Sequence, residues 1–448
     1  MKKRALFIPA SIRSHVLPSF FLADILSEDF DITYAVTTKI LEESVLENGF
    51  QSIIISGNKA GVGLEARFIQ EQGERVTFFR LMKSYLSHEI YWKRKKELDE
   101  LVEKLEPDVI IMDVFSSTDF LVLHHHRHLK LMFFNPMPST YRIEDYPIVS
   151  EGVWLKNLDS TEKKEKNNWL DFIKSPKNAV MNWVVKNQMK NLMKISQVSE
   201  NQNLVENKFT ISFNNVPELL LLPLEFEFSP KVKKEYQYYL GLCQREARKD
   251  TELDEKFEAQ WQNILAQKQQ GYRIIYCSFG TFYEGSDKVL LQFVERLINV
   301  VEKLNEILLI ISVNSLVSQT ILSKMKCSST FFFTKVPQLE VLKFSDLFIT
   351  HGGMGSIKES IEYEVPMIVY PLDPLYDQNG NALKVEYHKI GLRGKFYKET
   401  DFELENKIKE VLENDFFKKS IKAFSRNVKT KYPDKKLLTD FHNLLETY

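Results

Sequence analysis

The segment His351-Gly352-Gly353-Met354-Gly355-Ser356-Ile357-Lys358-Glu359 follows directly on an apolar run that ends at Thr350. Strand, glycine-rich turn and helix form a geometry in which free backbone N–H groups and the helix dipole face an anion. Glycines let a phosphate approach the backbone, and Ser356 can donate a hydroxyl at the helix start. Glu359, three residues on, shares a face with Ser356 and can accept hydrogen bonds from ribose hydroxyls. The same two residues also have the spacing of a capping box, which accounts for them without any ligand. A glycine turn before a helix is a weak motif by itself, so its surroundings decide its meaning.

Short apolar runs alternate with amphipathic stretches along both halves of the chain. Residues 5–9, 32–36, 52–55, 109–113 and 131–135 read as strands, most of them continuously apolar as in buried parallel sheets. Residues 17–26 and 90–105 carry helical spacing between them. After Gly271 the alternation returns, with strands expected at 274–278, 307–313, 330–333, 347–350 and 367–370. The pattern implies an α/β fold of two doubly wound domains. It lapses at 219–230 and in the charged segment 231–256, so domains are expected at 1–230 and 231–448, with a linker near 225–250. Residues 151–215 break the rhythm with a Lys/Asn-rich helical region carrying Trp154, Trp169, Phe172, Trp183 and Val184-Val185. Two readings of that region stay open: a helical cap on its own domain, or a lid for an apolar acceptor or a membrane surface.

Composition sets the outer limits. A chain of 448 residues is too long for one small module at ~150 residues per domain. With 44% hydrophobic and 27% charged residues it can bury full cores, and 16 Gly with 15 Pro exclude collagen-like and low-complexity architectures. Sixty Lys and Arg against 61 Asp and Glu leave no global field to draw nucleic acid, so no nucleic-acid partner is expected. Cys243, Cys277 and Cys327 lack CxxC spacing, which argues against a disulfide framework or structural zinc site and fits a reducing compartment. The apolar run after Met1-Lys2-Lys3-Arg4 is too short for a signal peptide, and no run approaches ~18 apolar residues, so a cytoplasmic location is expected. No internal repeat occurs at a solenoid period.

The glycine turn keeps specific company. Val336-Pro337-Gln338-Leu339-Glu340-Val341-Leu342 precedes it, and Val365-Pro366 and Asp377-Gln378-Asn379-Gly380-Asn381-Ala382 follow it. The run 336–382, supported by Ser278-Phe279-Gly280-Thr281, resembles the donor-binding signature of nucleotide-sugar-dependent glycosyltransferases of the plant, animal-detoxification and macrolide type. The resemblance implies the GT-B fold, with an N-terminal acceptor domain facing a C-terminal nucleotide-sugar domain and a last helix that packs back on the first. It implies that His351 touches the donor phosphates, that Gly353, Gly355 and Ser356 cradle them, and that Glu359 holds the ribose. Gln338 and the backbone of Val336 would face the nucleoside, Asp377 and Gln378 the donor sugar, and Gly280 and Thr281 would close the phosphate site. This chain departs from the family in having Lys335 where a stacking Trp is usual, and in a longer spacing from Pro371 to Gln378.

The N-terminal half should supply the base. His15, in Ser14-His15-Val16-Leu17-Pro18, lies just past the first strand, where open α/β sheets place functional groups. Its His-x-x-Pro pattern resembles the family's catalytic histidine, although Ser14 replaces the usual glycine. Asp113, at the end of a strand, matches the aspartate that orients this histidine; its structural alternative is capping the next turn. The implied reaction is an inverting displacement on a UDP- or dTDP-sugar by a hydroxyl of a small, apolar or aromatic acceptor, without a metal or other cofactor. Other classes sharing the turn are a GT-B nucleotide-sugar epimerase, a lipid-linked sugar transferase and a noncatalytic GT-B partner protein. The tract His124-His125-His126-Arg127-His128 looks metal-like but no Cys or carboxylate cluster accompanies it at ligand spacing, and Asp29-Phe30-Asp31 has the Asp-x-Asp form of metal-dependent transferases but falls in the turn leading into an early strand. The first is read as a solvated helix or loop and the second as coincidence.

Overall fold

The computed structural model describes residues 2–143, 145–154, 176–199, 202, 204–205, 210–245, 253–280, 287–324, 327–373 and 376–447. Its strands are, in chain order, β1 (Lys3–Ile8), β2 (Phe30–Val36), β3 (Gln51–Ile54), β4 (Val109–Asp113), β5 (Lys130–Asn135), β6 (Leu204–Val205), β7 (Ser212–Phe213), β8 (Glu218–Leu220) and β9 (Gln237–Tyr239), then β10 (Arg273–Ser278), β11 (Ile307–Ser312), β12 (Thr330–Phe333), β13 (Leu347–Thr350), β14 (Met367–Val369) and β15 (Gly391–Arg393).

Two parallel sheets organise them. The first runs β3-β2-β1-β4-β5-β8-β9 and the second β12-β11-β10-β13-β14-β15. In the first, the chain winds outward from β1 to β3 and then returns to lay β4 on the other side of β1; in the second, β13 lies beside β10 in the same way. Each sheet therefore has a switch point, between β1 and β4 and between β10 and β13, where a crevice opens at the strands' carboxyl ends. Both are the doubly wound domains expected from the alternation of apolar runs.

Period-two geometry explains the cores. In β1, Ala5 and Phe7 enter one cluster with Val16, Phe20 and Tyr34, whereas Leu6 and Ile8 enter another with Phe120 and Leu98 on the opposite face. The second sheet is likewise covered on both faces, Ile275 and Cys277 on one and Ile274 and Tyr276 on the other.

The division at 230 needs correction. Glu218–Leu220 and Gln237–Tyr239, expected to be linker, pair with each other and extend the first sheet, and Gln237 Nε2 donates to the buried Glu218 Oε2 over 2.8 Å. Three-residue strands in a charged stretch leave too little periodicity to read. The helix Pro176–Ser196 packs on its own domain through Val184, Leu192 and a Gln188–Glu65 hydrogen bond, as the cap reading requires, with Trp183 65% exposed. Trp169 and Phe172 lie outside the described residues. No helix among the described residues is long and apolar enough to cross a membrane.

The domains are tied at their facing edges. Lys358 buries its ammonium and donates to Leu221 O over 2.6 Å, Lys384 pairs with Glu227 at 3.4 Å, and Trp154 packs between Phe228 and Tyr387. The last helix, Asp434–Thr447, crosses to the first domain and inserts Leu437, Phe441, Leu444 and Leu445 beside Leu22 and Phe30. His442 donates to Asp29 Oδ2 over 2.8 Å, which gives the Asp-x-Asp turn a structural role. Phe441→Ala should destabilise the N-terminal domain by about 3–5 kcal/mol and leave the second domain's transition in place. Urea unfolding followed by hydrogen exchange separates the two, and a uniform loss across both domains would contradict this packing.

Candidate active site

His15 enters the first turn of the helix Arg13–Leu26, just after β1, and Asp113 ends β4. They thus flank the first switch point. The imidazole Nδ1 lies 2.9 Å from Asp113 Oδ2, with both side chains buried. A carboxylate only accepts, so Nδ1 carries the proton and Nε2 is left with a lone pair. The other carboxylate oxygen, Oδ1, accepts the Phe115 N–H at 2.8 Å, so Asp113 caps the following turn as well as orienting the histidine. The Phe115 ring lies over the imidazole, centroids 4.8 Å apart and planes 21° from parallel. Sequence reading missed Phe115, which nothing but its place two residues after Asp113 marks out.

The second switch point holds the glycine turn. His351 follows β13 and lies between Gly280, after β10, and Gly353. A Cβ on Gly353 would sit 2.7 Å from His351 Nε2, and one on Gly280 3.0 Å from Cε1; Gly280 also has φ +66°. Glycine is required here for the ring to fit. Burial pushes the His351 imidazole down to about 4, so it is a neutral donor at neutral pH, and its Nδ1 has no hydrogen-bond partner among the described residues. Gly353, not Ser356, is the N-cap of the helix Met354–Glu362, and as a glycine it has no side chain to cap the first turn. The first-turn N–H groups thus lack a side-chain cap, and a Cβ on Gly355 would meet nothing within 4 Å.

The capping-box explanation of Ser356 and Glu359 therefore fails, because the helix starts one turn earlier than that reading needs. Glu359 Oε2 instead accepts from Gln338 Nε2, which also reaches Ser356 Oγ at 3.4 Å, while Tyr276 OH donates to Gln338 Oε1 at 3.1 Å. Gln338, Ser356 and Glu359 are thereby brought together beside the turn. Val336 is buried in the core below them.

Asp377 and Gln378 open the helix Gln378–Tyr387. Gln378 Oε1 accepts from the N–H groups of Leu372 and Asp373 at 2.8 and 3.0 Å and so shapes the loop before it. Asn381 Nδ2 donates to Asp377 Oδ2 at 2.7 Å and to Gly352 O at 2.9 Å, joining this pair to the glycine turn. Burial pushes the Asp377 carboxyl up, against the hydrogen bond from Asn381. Thr281 lies outside the described residues. The histidine tract requires a correction: the fold does bring it a carboxylate, Asp99.

Residues 286–437 match the family described as UDP-glucoronosyl and UDP-glucosyl transferase, and the run 336–382 lies wholly inside that match. A segment is 38% identical over 99 residues to the uncharacterized UDP-glucosyltransferase YdhE of Bacillus subtilis, covering 21% of this chain and 23% of that protein. UDP-glucuronosyltransferase 3A1 of Bos taurus is 34% identical over 103 residues, 22% of this chain and 19% of that one. The aligned segments thus span less than a quarter of these relatives' own length. Among solved structures, the glycosyltransferase of kitacinnamycin superposes with a TM-score of 0.69 at 18% identity over 99% of this chain and 100% of that one. CalG4, the calicheamicin glycosyltransferase, gives 0.65 at 12% identity over 100% and 99%. At such identities the likeness shows the fold, which is GT-B.

Burial also pushes His388 down to about 4, opposed by its hydrogen bond to Phe226 O. Between about 6.5 and 4 the unfolded chain binds protons that these folded imidazoles refuse, so stability falls as pH drops through that window, by about 1.4 kcal/mol per unit of separation for each group. His351→Gln should flatten the dependence of the urea midpoint on pH between 6.5 and 4; an unchanged slope would contradict a neutral buried His351.

Proposed function

We propose that the chain is an inverting glycosyltransferase that moves a sugar from a UDP- or dTDP-sugar to a hydroxyl of a small apolar or aromatic acceptor, in the cytoplasm and without a metal ion. The observation that carries this reading is His15, held by Asp113 over 2.9 Å at one switch point, with the uncapped helix start after the glycine turn at the other. The names of the relatives and of the solved structures the chain resembles support a nucleotide-sugar donor and a natural-product type of acceptor.

His15 Nε2 takes the proton of the acceptor hydroxyl while that oxygen attacks the anomeric carbon, and the bond to the diphosphate breaks on the opposite face. Asp113 stabilises the imidazolium that forms and holds its tautomer throughout. The nucleoside diphosphate leaves toward the start of the helix Met354–Glu362, where backbone N–H groups and the His351 donor meet its charge. Gln338 and Glu359 hold the nucleoside end, and Asp377 the sugar. The helix N–H groups and the His351 donor supply the positive potential that a metal provides in other transferases.

Turnover measured by mass spectrometry in the presence of EDTA, across a panel of nucleotide sugars and phenolic or alcoholic acceptors, should persist in the wild type. His15→Ala should lower kcat by about 10²–10⁴-fold with UDP affinity nearly unchanged, because the donor site belongs to the other domain. An unimpaired His15→Ala enzyme, or activity that requires added Mn²⁺ or Mg²⁺, would overturn the reading.

A further inference from the structure

The turn after the helix Asp119–Leu123 carries His125 and His126, and the helix Glu89–Leu105 passes beside it with Lys95 and Asp99. Asp99 Oδ1 lies 3.2 Å from His125 Nε2 and 2.9 Å from His126 Nε2, and one ligand atom from each of the three residues falls within 4.8 Å of the others. Atoms bound at 2.0–2.1 Å around a tetrahedral zinc ion are about 3.3 Å apart, so the spacing suits a metal without rearranging the backbone.

The tautomer suits it too. His125 Nδ1 donates to Val122 O at 2.7 Å, which turns the Nε2 lone pair toward Asp99, the arrangement by which a backbone carbonyl orients a metal-bound imidazole. Lys95 Nζ lies 2.7 Å from Asp99 Oδ2 and 2.8 Å from His125 Nε2, so a cation already satisfies these acceptors. Its long stem lets it swing outward into water.

We propose that Asp99, His125 and His126 form a Zn²⁺ site, completed by water, in which the metal displaces the Lys95 ammonium and the proton shared by His126 and Asp99. The site lies far from the transfer chemistry by topology. Val109 pairs with Lys130 at the amino edge of the sheet, where the histidine turn enters β5, whereas Asp113 pairs with Phe134 at the carboxyl edge. A metal here pins the helix Glu89–Leu105 to the turn and stabilises the folded N-terminal domain.

Calorimetric titration of the full-length, tag-free chain with Zn²⁺ tests this, with the visible spectrum of bound Co²⁺ as a second readout. One equivalent should bind, and zinc should raise the melting temperature. His126→Ala and Asp99→Asn should each weaken binding roughly tenfold or more and abolish the thermal shift, while melting with the wild type in EDTA. Lys95→Met should tighten binding, an effect that a misfolded or nonspecific site would not produce. Substoichiometric binding by the wild type, unchanged affinity in His126→Ala, or no gain in Lys95→Met would each overturn the proposal.

Discussion

Parallel strands deliver all their carboxyl ends to one edge of a sheet, and the functional geometry of this chain follows from two such edges facing each other. His15 and Asp113 are 98 residues apart and meet because β1 and β4 are neighbours in register. Gly280 and His351 meet because β10 and β13 are. The edges are then locked together by Lys358 on Leu221 O and Lys384 on Glu227, and by an apolar cluster in which Leu220, Leu222 and Phe226 of the first domain share space with Tyr276 and Ile357 of the second. Buried charged groups of this kind are expensive to leave unpaired, so they fix one relative placement of the domains.

Each switch point uses little chain to do several things. One Asp113 oxygen holds the imidazole and the other closes the next turn, so rotation of the carboxylate would cost both bonds. On the other side, two glycines leave room for the buried His351 ring, and that burial keeps the ring neutral. Asn381 joins the glycine turn to Asp377 by donating to both.

Much of this was legible in the residues because buried parallel strands are continuous apolar runs and the glycine turn has a definite context. Residues 109–113, 330–333 and 347–350 coincide with β4, β12 and β13. What escaped was set by distance or brevity. β8, β9 and β15 have three residues each and exist through pairing with remote strands. The start of the helix Met354–Glu362 at Gly353, where a Cβ would clash with the His351 ring, undoes the capping-box reading. Asp99 lies on the helix Glu89–Leu105 and the histidine tract on a turn beyond another helix, so its place beside His125 and His126 is a product of packing alone.

The central claim is that His15 and Asp113 act as one unit. A double-mutant cycle on kcat, comparing His15→Ala, Asp113→Ala and the pair with a hydroxyl acceptor, measures this directly. An aspartate that works only through the histidine has nothing left to orient once the imidazole is gone, so the double variant should be little slower than His15→Ala alone. Fully additive losses would contradict the account.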